Sequence, residues 1–146
     1  MKEMRYRDIA SFGKRQEYSV IAELLRRNFD VYMTLVDDRG IDCIIRLGNR
    51  RYLDVQIKAR SKDAKQWNIF AGMTVEPRDN FYFIFYTEKN NKFWIIPSRD
   101  VVKLGIKNKS GKNVGKIALT LPRSETGKKA QKFQKYLNDM GFELLK

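Results

Sequence analysis

The sequence contains no histidine and a single cysteine, Cys43. The lack of histidine excludes His-ligated zinc, Ser-His triads and Cys-His dyads, and one cysteine cannot form an internal disulfide. No apolar run approaches the twenty or so residues that a membrane span needs, and residues 1–7 are too polar for a signal peptide. Any catalysis must therefore use carboxylates, amides and lysines, and a hard cation is the expected cofactor. We also expect a cytoplasmic protein with no membrane segment.

Acidic residues are scarce relative to basic ones. The chain has 30 Lys and Arg against 17 Asp and Glu, which leaves a formal charge of +13. A surplus of this size favours a polyanionic partner, so nucleic acid is the leading partner class and an acidic membrane surface comes second. The imbalance is greatest over residues 103–146, which hold eleven basic and three acidic side chains.

The length of 146 residues is that of one domain with a substantial core. Nine Phe, seven Tyr and two Trp argue for a packed globule and against a disordered tail. We expect a single domain over residues 1–146, with its core over about 8–104 and a basic loop and helix over about 105–146.

Periodicity and turn residues predict a mixed α/β domain in the order α-β-β-β-(α)-β-β-α. The first helix is expected from about residue 8 or 11 to residue 28, and a second, short one from a capping Ser98 to Leu104. A loop over 105–115 precedes a helix over 126–140 that ends at Gly141. The predicted strands cover residues 31–36, 41–47, 52–59, 81–86 and 92–96.

The pairing of the second and third strands decides which polar residues meet. A two-residue loop at Gly48-Asn49 would put Asp42 and Gln56 on opposite sides of the sheet. A three-residue loop, with Gly48 or Asn49 in the left-handed conformation, pairs Leu47 with Arg51 and Asp42 with Gln56. Since the second register also keeps the apolar side chains on one face, hydrophobic patterning selects it.

In that register Asp42, Gln56 and Lys58 share one face of the sheet. The Asp42 carboxylate, the Gln56 amide oxygen and the Ile57 backbone carbonyl are ligands that Mg²⁺ accepts, and Lys58 can hold an attacking water. Glu17 lies on the core-facing stripe of the first helix, where an unpaired carboxylate is costly. The simpler alternatives are a solvated strand face and an ion pair of Glu17 with Lys14 or Arg15.

The pattern Gly13-x3-Glu17, Arg39-Gly40-Ile41-Asp42 and Leu53-Asp54-Val55-Gln56-Ile57-Lys58 resembles the PD-(D/E)XK nuclease superfamily. Its Mrr-like and archaeal Holliday-junction-resolvase-like branch is the most similar. The resemblance implies a restriction-endonuclease-like core, with a mixed central β-sheet flanked by helices, and an Mg²⁺- or Mn²⁺-dependent endodeoxyribonuclease. It assigns the active site to Glu17, Asp42, Gln56 and Lys58. Ile41 replaces the usual Pro, and Gln56 replaces a commoner carboxylate, which removes one negative charge from the metal site.

DNA, double-stranded or branched, is the expected substrate, and cleavage of both strands would call for a homodimer. The expected phosphate contacts are the basic residues after the motif and one face of the last helix: Arg60, Lys62, Lys65, Lys128, Lys132 and Lys135. The 105–116 loop suits the same role. Two alternatives remain open at this point: a catalytically inactive nucleic-acid-binding protein of the same fold, and a subunit whose charge meets an acidic protein.

Overall fold

The computed structural model describes residues 6–36 and 39–146. Within these ranges none of the helices is both long enough and apolar enough to cross a bilayer. The helices are α1 (Tyr6–Arg26), α2 (Ser98–Leu104), α3 (Lys128–Phe133) and α4 (Asn138–Glu143), with single 3-10 turns at Glu88–Asn90 and Gln134–Tyr136. The strands are β1 (Asp30–Met33), β2 (Cys43–Leu47), β3 (Arg51–Arg60), β4 (Ile69–Met73), β5 (Phe81–Thr87), β6 (Lys92–Pro97), β7 (Ile106–Lys107) and β8 (Ile117–Thr120).

A five-stranded mixed sheet in the order β1-β2-β3-β5-β6 forms the centre of the fold. β3 and β5 are parallel, and the remaining neighbours are antiparallel. One face of the sheet packs against α1 through Val20, Ile21 and Leu24, three of the four residues in the apolar stripe that the helical periodicity predicts. The fourth, Leu25, is 54% exposed. The expected fold class, a mixed central sheet flanked by helices, is confirmed.

The β2–β3 hairpin has the register that the hydrophobic pattern selects. Leu47 pairs with Arg51 and Cys43 with Val55 across a three-residue loop. The left-handed residues of the loop are Asn49 (φ 63°) and Arg50 (φ 60°). Asn49 is one of the two residues expected in the left-handed conformation, which asparagine adopts at little cost. The other expected residue, Gly48, is not left-handed, and Arg50 is.

A second, three-stranded sheet in the order β4-β8-β7 covers the other face of the central sheet. This sheet was not predicted: β4 stands where an optional helix was expected, and β7 lies in the segment expected to be a loop. β4 carries an irregularity between Phe70 and Met73, where Gly72 has a φ of +68°. The irregularity breaks the alternation by which a strand is recognised.

The single helix expected over 126–140 is wrong. α3 ends at Phe133, a 3-10 turn follows, and Leu137 takes an extended conformation that bridges to Trp94 before α4 begins. Met140, expected in the core, is 53% exposed, whereas Phe142 and Leu145 are buried against the α1 side. On either side of Leu137 the chain packs into different cores, with Phe133 and Tyr136 on the side of the central sheet opposite α1 and Phe142 and Leu145 on the α1 side.

Two predicted helix caps are also wrong. Gly141 lies inside α4, where a Cβ would come within 2.1 Å of the Tyr136 carbonyl oxygen, so close packing rather than capping requires glycine. Ser98 is the first residue of α2 and caps nothing, because its Oγ is bonded to the backbone of Arg78 instead.

Candidate active-site cleft

Gln56 and Lys58 lie on β3 just beyond the point where β2 leaves it. The β2–β3 ladder ends at Cys43 and Val55, whereas β3 continues to pair with β5, placing Gln56 beside Phe83 and Lys58 beside Phe85. In-register neighbours in a parallel sheet share a face, so both polar side chains point away from the α1 core. Both are half-buried beside the aromatic side chains of β5.

The expected pair of Asp42 with Gln56 is shifted by one residue. The Asp42 N–H donates to the carbonyl of Val55 (2.8 Å), and its Oδ2 accepts from the Ile57 N–H at 2.6 Å. The carboxylate thus accepts a backbone hydrogen bond at the edge of β3 where β2 no longer pairs with it. A charge-assisted bond of this length fixes the carboxylate beside the Gln56-Ile57-Lys58 step.

Gly40 brings the Arg39-Gly40-Ile41-Asp42 motif against Gln56. Its φ is +70°, and a Cβ at this position would lie 3.1 Å from the Nε2 of Gln56. The left-handed backbone and the close approach both favour glycine here. The two motif segments are therefore packed together at the Gln56 amide as well as joined through Asp42.

Glu17 forms an ion pair with Lys14 (3.0 Å), and its side chain is 24% exposed. The pKa of Lys14 is raised, chiefly by the hydrogen bond from its ammonium to Glu17 and by the charge of that carboxylate, with Asp42 adding to the effect. Burial, together with the charges of Asp42 and Glu17, raises the pKa of the Cys43 thiol to about 12. Both carboxylates thus act on the same two groups, Lys14 and Cys43.

A cleft of about 870 Å³ opens beside this point, between β3 and the end of β4. Of the four expected catalytic residues, Gln56 and Lys58 line it, and Glu17 and Asp42 do not. Sequence reasoning missed Glu76 and Arg78, which lie in an irregular segment with no local pattern. The lining residues are Arg39, Gly40, Ile41, Asp54, Gln56, Lys58, Gly72, Met73, Thr74, Glu76, Arg78 and Phe81.

The donor chemistry of the site suits a hard divalent cation. The Asp42 and Glu17 carboxylates, the Gln56 amide and the Ile57 carbonyl all offer oxygen, which Mg²⁺ and Mn²⁺ prefer. Over residues 6–36 and 39–146, no three Asp, Glu, His or Cys side chains are grouped as a metal site. Two carboxylates with neutral oxygens are still sufficient for Mg²⁺, which usually keeps waters and substrate oxygens as its other ligands.

The expected phosphate-binding residues lie outside the lining of the cleft. Arg60 donates two hydrogen bonds to the carbonyl of Gln66 (3.1 and 3.3 Å), so its guanidinium holds the following loop. The others are exposed lysines, in the loop after β3 and along α3 and the turn that follows it: Lys62, Lys65, Lys128, Lys132 and Lys135.

A lysine-rich hairpin adjoins the cleft. It comprises β7, β8 and the loop between them, residues 106–120, and we call it the lysine hairpin. Its second strand begins at Ile117, which pairs with Met73 of the cleft wall. The chain has no acidic residue between Asp100 and Glu125, and the hairpin carries four lysines, at positions 107, 109, 112 and 116.

Comparison with known proteins identifies the fold. No family model and no curated protein matches the chain. Among solved structures it is similar to the bacterial homing endonuclease I-Ssp6803I, with a TM-score of 0.65 and 16% sequence identity. The match covers 91% of this chain and 89% of that one. The protein therefore shares the fold of this endonuclease over nearly its whole length.

Proposed function

We propose that the protein is a metal-dependent DNA endonuclease of the PD-(D/E)XK type, of the Mrr-like and Holliday-junction-resolvase-like branch. The observation that carries the proposal is the 2.6 Å bond from the Ile57 N–H to Asp42 Oδ2. It holds a carboxylate from one motif segment against the strand that presents Gln56 and Lys58 to the cleft. The similarity to I-Ssp6803I supports a nuclease on the level of the fold.

The groups around this bond have two proposed roles in phosphodiester hydrolysis, metal binding and positioning of the attacking water. Asp42, Gln56, the Ile57 carbonyl and Glu17 would hold Mg²⁺ or Mn²⁺. When bound, the ion supplies positive charge that stabilises the phosphate in the transition state and lowers the pKa of a water molecule. The Lys58 ammonium lies in the cleft, where it can orient the attacking water and offset the charge that builds on the phosphate.

DNA is the proposed substrate because the protein carries a large positive charge overall and a lysine-rich hairpin adjoins the cleft. The lysine hairpin adjoins the cleft wall at Met73, and duplex DNA carries a negative charge every 1.7 Å or so along its axis. Lys62, Lys65 and the α3 lysines are proposed as further phosphate contacts. One copy has one site, so cutting both strands requires a second copy, related in the simplest case by a two-fold axis.

A cleavage assay on linear, branched and supercoiled DNA and on RNA tests the proposal, with Mg²⁺, with Mn²⁺ and with chelator. We expect cleavage of DNA that needs the metal and is lost in Lys58→Ala, whereas Lys89→Ala, an exposed lysine on the β5–β6 turn, should cleave as the wild type does. Removing one electrostatic stabiliser of a transition state typically costs about 10²–10³ in rate. Equal rates for Lys58→Ala and the wild type would contradict the role of Lys58.

A DNA-binding protein without nuclease activity is a second candidate, favoured by one observation. Gln56 stands where a third carboxylate would strengthen the metal site, and no group of three acidic ligands occurs among the described residues. Calorimetry with Mn²⁺ separates the two candidates. The nuclease should bind the ion at a site that Asp42→Asn abolishes, whereas a simple binder should give the same small heats in both proteins.

A further inference from the structure

Arg78 is anchored in the cleft through its backbone. Its N–H donates to the Oγ of Ser98 (3.0 Å), and that hydroxyl donates back to the Arg78 carbonyl (2.9 Å). Ser98 is fully buried at the start of α2, so the Arg78 backbone is tied at both polar groups to the core. An irregular segment therefore presents this one residue from a fixed position.

The guanidinium of Arg78 is oriented as well. Its Cζ lies 4.6 Å from the ring centroid of Phe81, and its Nη2 donates to Asp54 Oδ2 at 3.1 Å. The side chain nevertheless remains 40% exposed and lines the cleft. A guanidinium has five N–H donors, and Asp54 is the one side-chain hydrogen-bond partner that the described residues give it. The side chain is thus held in place, and its remaining N–H donors are available to a ligand in the cleft.

We propose that Arg78 forms an anion-binding subsite for a backbone phosphate of the nucleic acid, separate from the reacting phosphate. This inference rests on the proposed function, since it takes the occupant of the cleft to be a polynucleotide. A planar, preorganised guanidinium matches two phosphate oxygens, and stacking on an aromatic ring leaves the edge of the fork available. Arg39 and Lys58 add positive charge to the same cleft.

The position of Arg78 sets which phosphate it can reach. Its partner Asp54 precedes Gln56 by two residues and Lys58 by four on the same strand. At a rise of about 3.3 Å per residue, this places the subsite about 7–13 Å from the catalytic pair. The subsite therefore takes a phosphate close to the reacting one along the nucleic acid, and not the reacting phosphate itself.

A second Arg–Asp pair provides the control for this proposal. Arg99 donates to Asp79 at 2.6 Å, and both side chains are exposed outside the cleft lining. If Arg78 served only to pair with Asp54, then Arg78→Ala and Asp54→Asn would have the same effect. If it binds phosphate, the two substitutions act in opposite directions, because Asp54→Asn frees the guanidinium and removes a negative charge that repels the ligand.

The experiment measures affinity for a fluorescent DNA duplex in chelator, over a series of salt concentrations, with urea unfolding as a check on each variant. We expect Arg78→Ala to weaken binding about tenfold and to lower the salt slope by about one. Arg78→Lys should keep the slope and lose part of the affinity. Asp54→Asn should bind as tightly as the wild type or more tightly, whereas Arg99→Ala and Asp79→Asn should shift affinity less than twofold.

Equal weakening by Arg78→Ala and Asp54→Asn would overturn the subsite, as would equal effects of Arg78→Ala and Arg99→Ala. Neither result touches the proposed nuclease, which depends on cleavage and its loss in Lys58→Ala. Conversely, Arg78-dependent binding by a protein that cleaves nothing would retain the subsite and remove the nuclease. No DNA affinity at low salt would overturn both.

Discussion

Replacing Asp42 separates its structural contribution from its proposed catalytic one. The carboxylate accepts the Ile57 N–H at 2.6 Å in a half-buried position where β2 no longer covers β3. Asp42→Ala leaves that N–H without this acceptor, at a cost of about 2 kcal/mol. For a chain of this size, the loss corresponds to a fall of about 4–8 °C in Tm and about 1 M in the urea midpoint.

Asp42→Asn is the informative companion substitution. Its amide oxygen can still accept from the Ile57 N–H, so most of the stability should remain, with a loss of about 1 kcal/mol or less from the weaker neutral bond. The negative charge that a divalent ion needs is gone, and metal-dependent cleavage should fall as far as it does in Asp42→Ala. Stability and activity therefore follow different orders across the wild type, Asp42→Asn and Asp42→Ala.

Unfolding in urea, followed by the fluorescence of the buried Trp94, and cleavage of one DNA substrate are measured on the same preparations. Asp30→Ala is the control, because its carboxylate is 46% exposed and pairs with Arg46 on the neighbouring strand. Exposed pairs of this kind contribute about 0–1 kcal/mol. The reasoning fails if Asp42→Ala unfolds at the same urea concentration as Asp30→Ala, or if Asp42→Asn cleaves at the wild-type rate.

Two further predictions concern charge and burial. Because the pKa of the Cys43 thiol is raised to about 12 in the folded state, the unfolded chain ionises first as the pH rises. Between pH 8 and 10 the wild type should therefore lose about 1–2 kcal/mol more unfolding free energy than Cys43→Ala, and equal losses in urea titrations would contradict this. In the lysine hairpin, Lys109→Gln with Lys112→Gln should lower the salt slope of DNA binding by about two, whereas Lys89→Gln with Lys146→Gln should leave it unchanged. Identical slopes in salt titrations of the two double variants would exclude the hairpin from the DNA interface.

The elements predicted correctly are those whose pattern is local and regular. The apolar stripe on the first helix predicts the face that α1 buries, with the exception of Leu25, and alternation over residues 52–59 predicts β3. The second sheet lacked such a signal, since β7 has two residues and β4 contains the Gly72 irregularity. The last helix was predicted as continuous because nothing nearby in the sequence indicates that Leu137 bridges to Trp94.

The same distinction applies to the candidate site. The hairpin register placed Asp42 next to the Gln56-Lys58 step, although the pair itself is shifted by one residue because a carboxylate replaces the backbone in the ladder. Arg78 could not be found in this way. Its orientation depends on Ser98, twenty residues later, on Asp54, twenty-four residues earlier, and on the ring of Phe81.

The sequence by itself determined the alternation of the hairpin, its three-residue loop and the excess of positive charge. Each depends on residues that are adjacent in the chain or on composition alone, so no knowledge of distant contacts is required. Only the tertiary structure decided where a cleft would form, because the cleft exists where the second sheet covers Phe83 and Phe85 and leaves Gln56 and Lys58 open beside them. The packing of strands that are far apart in the sequence sets where the second sheet ends. Because burying a charged or amide side chain is costly, Gln56 and Lys58 lie beside the second sheet and not beneath it.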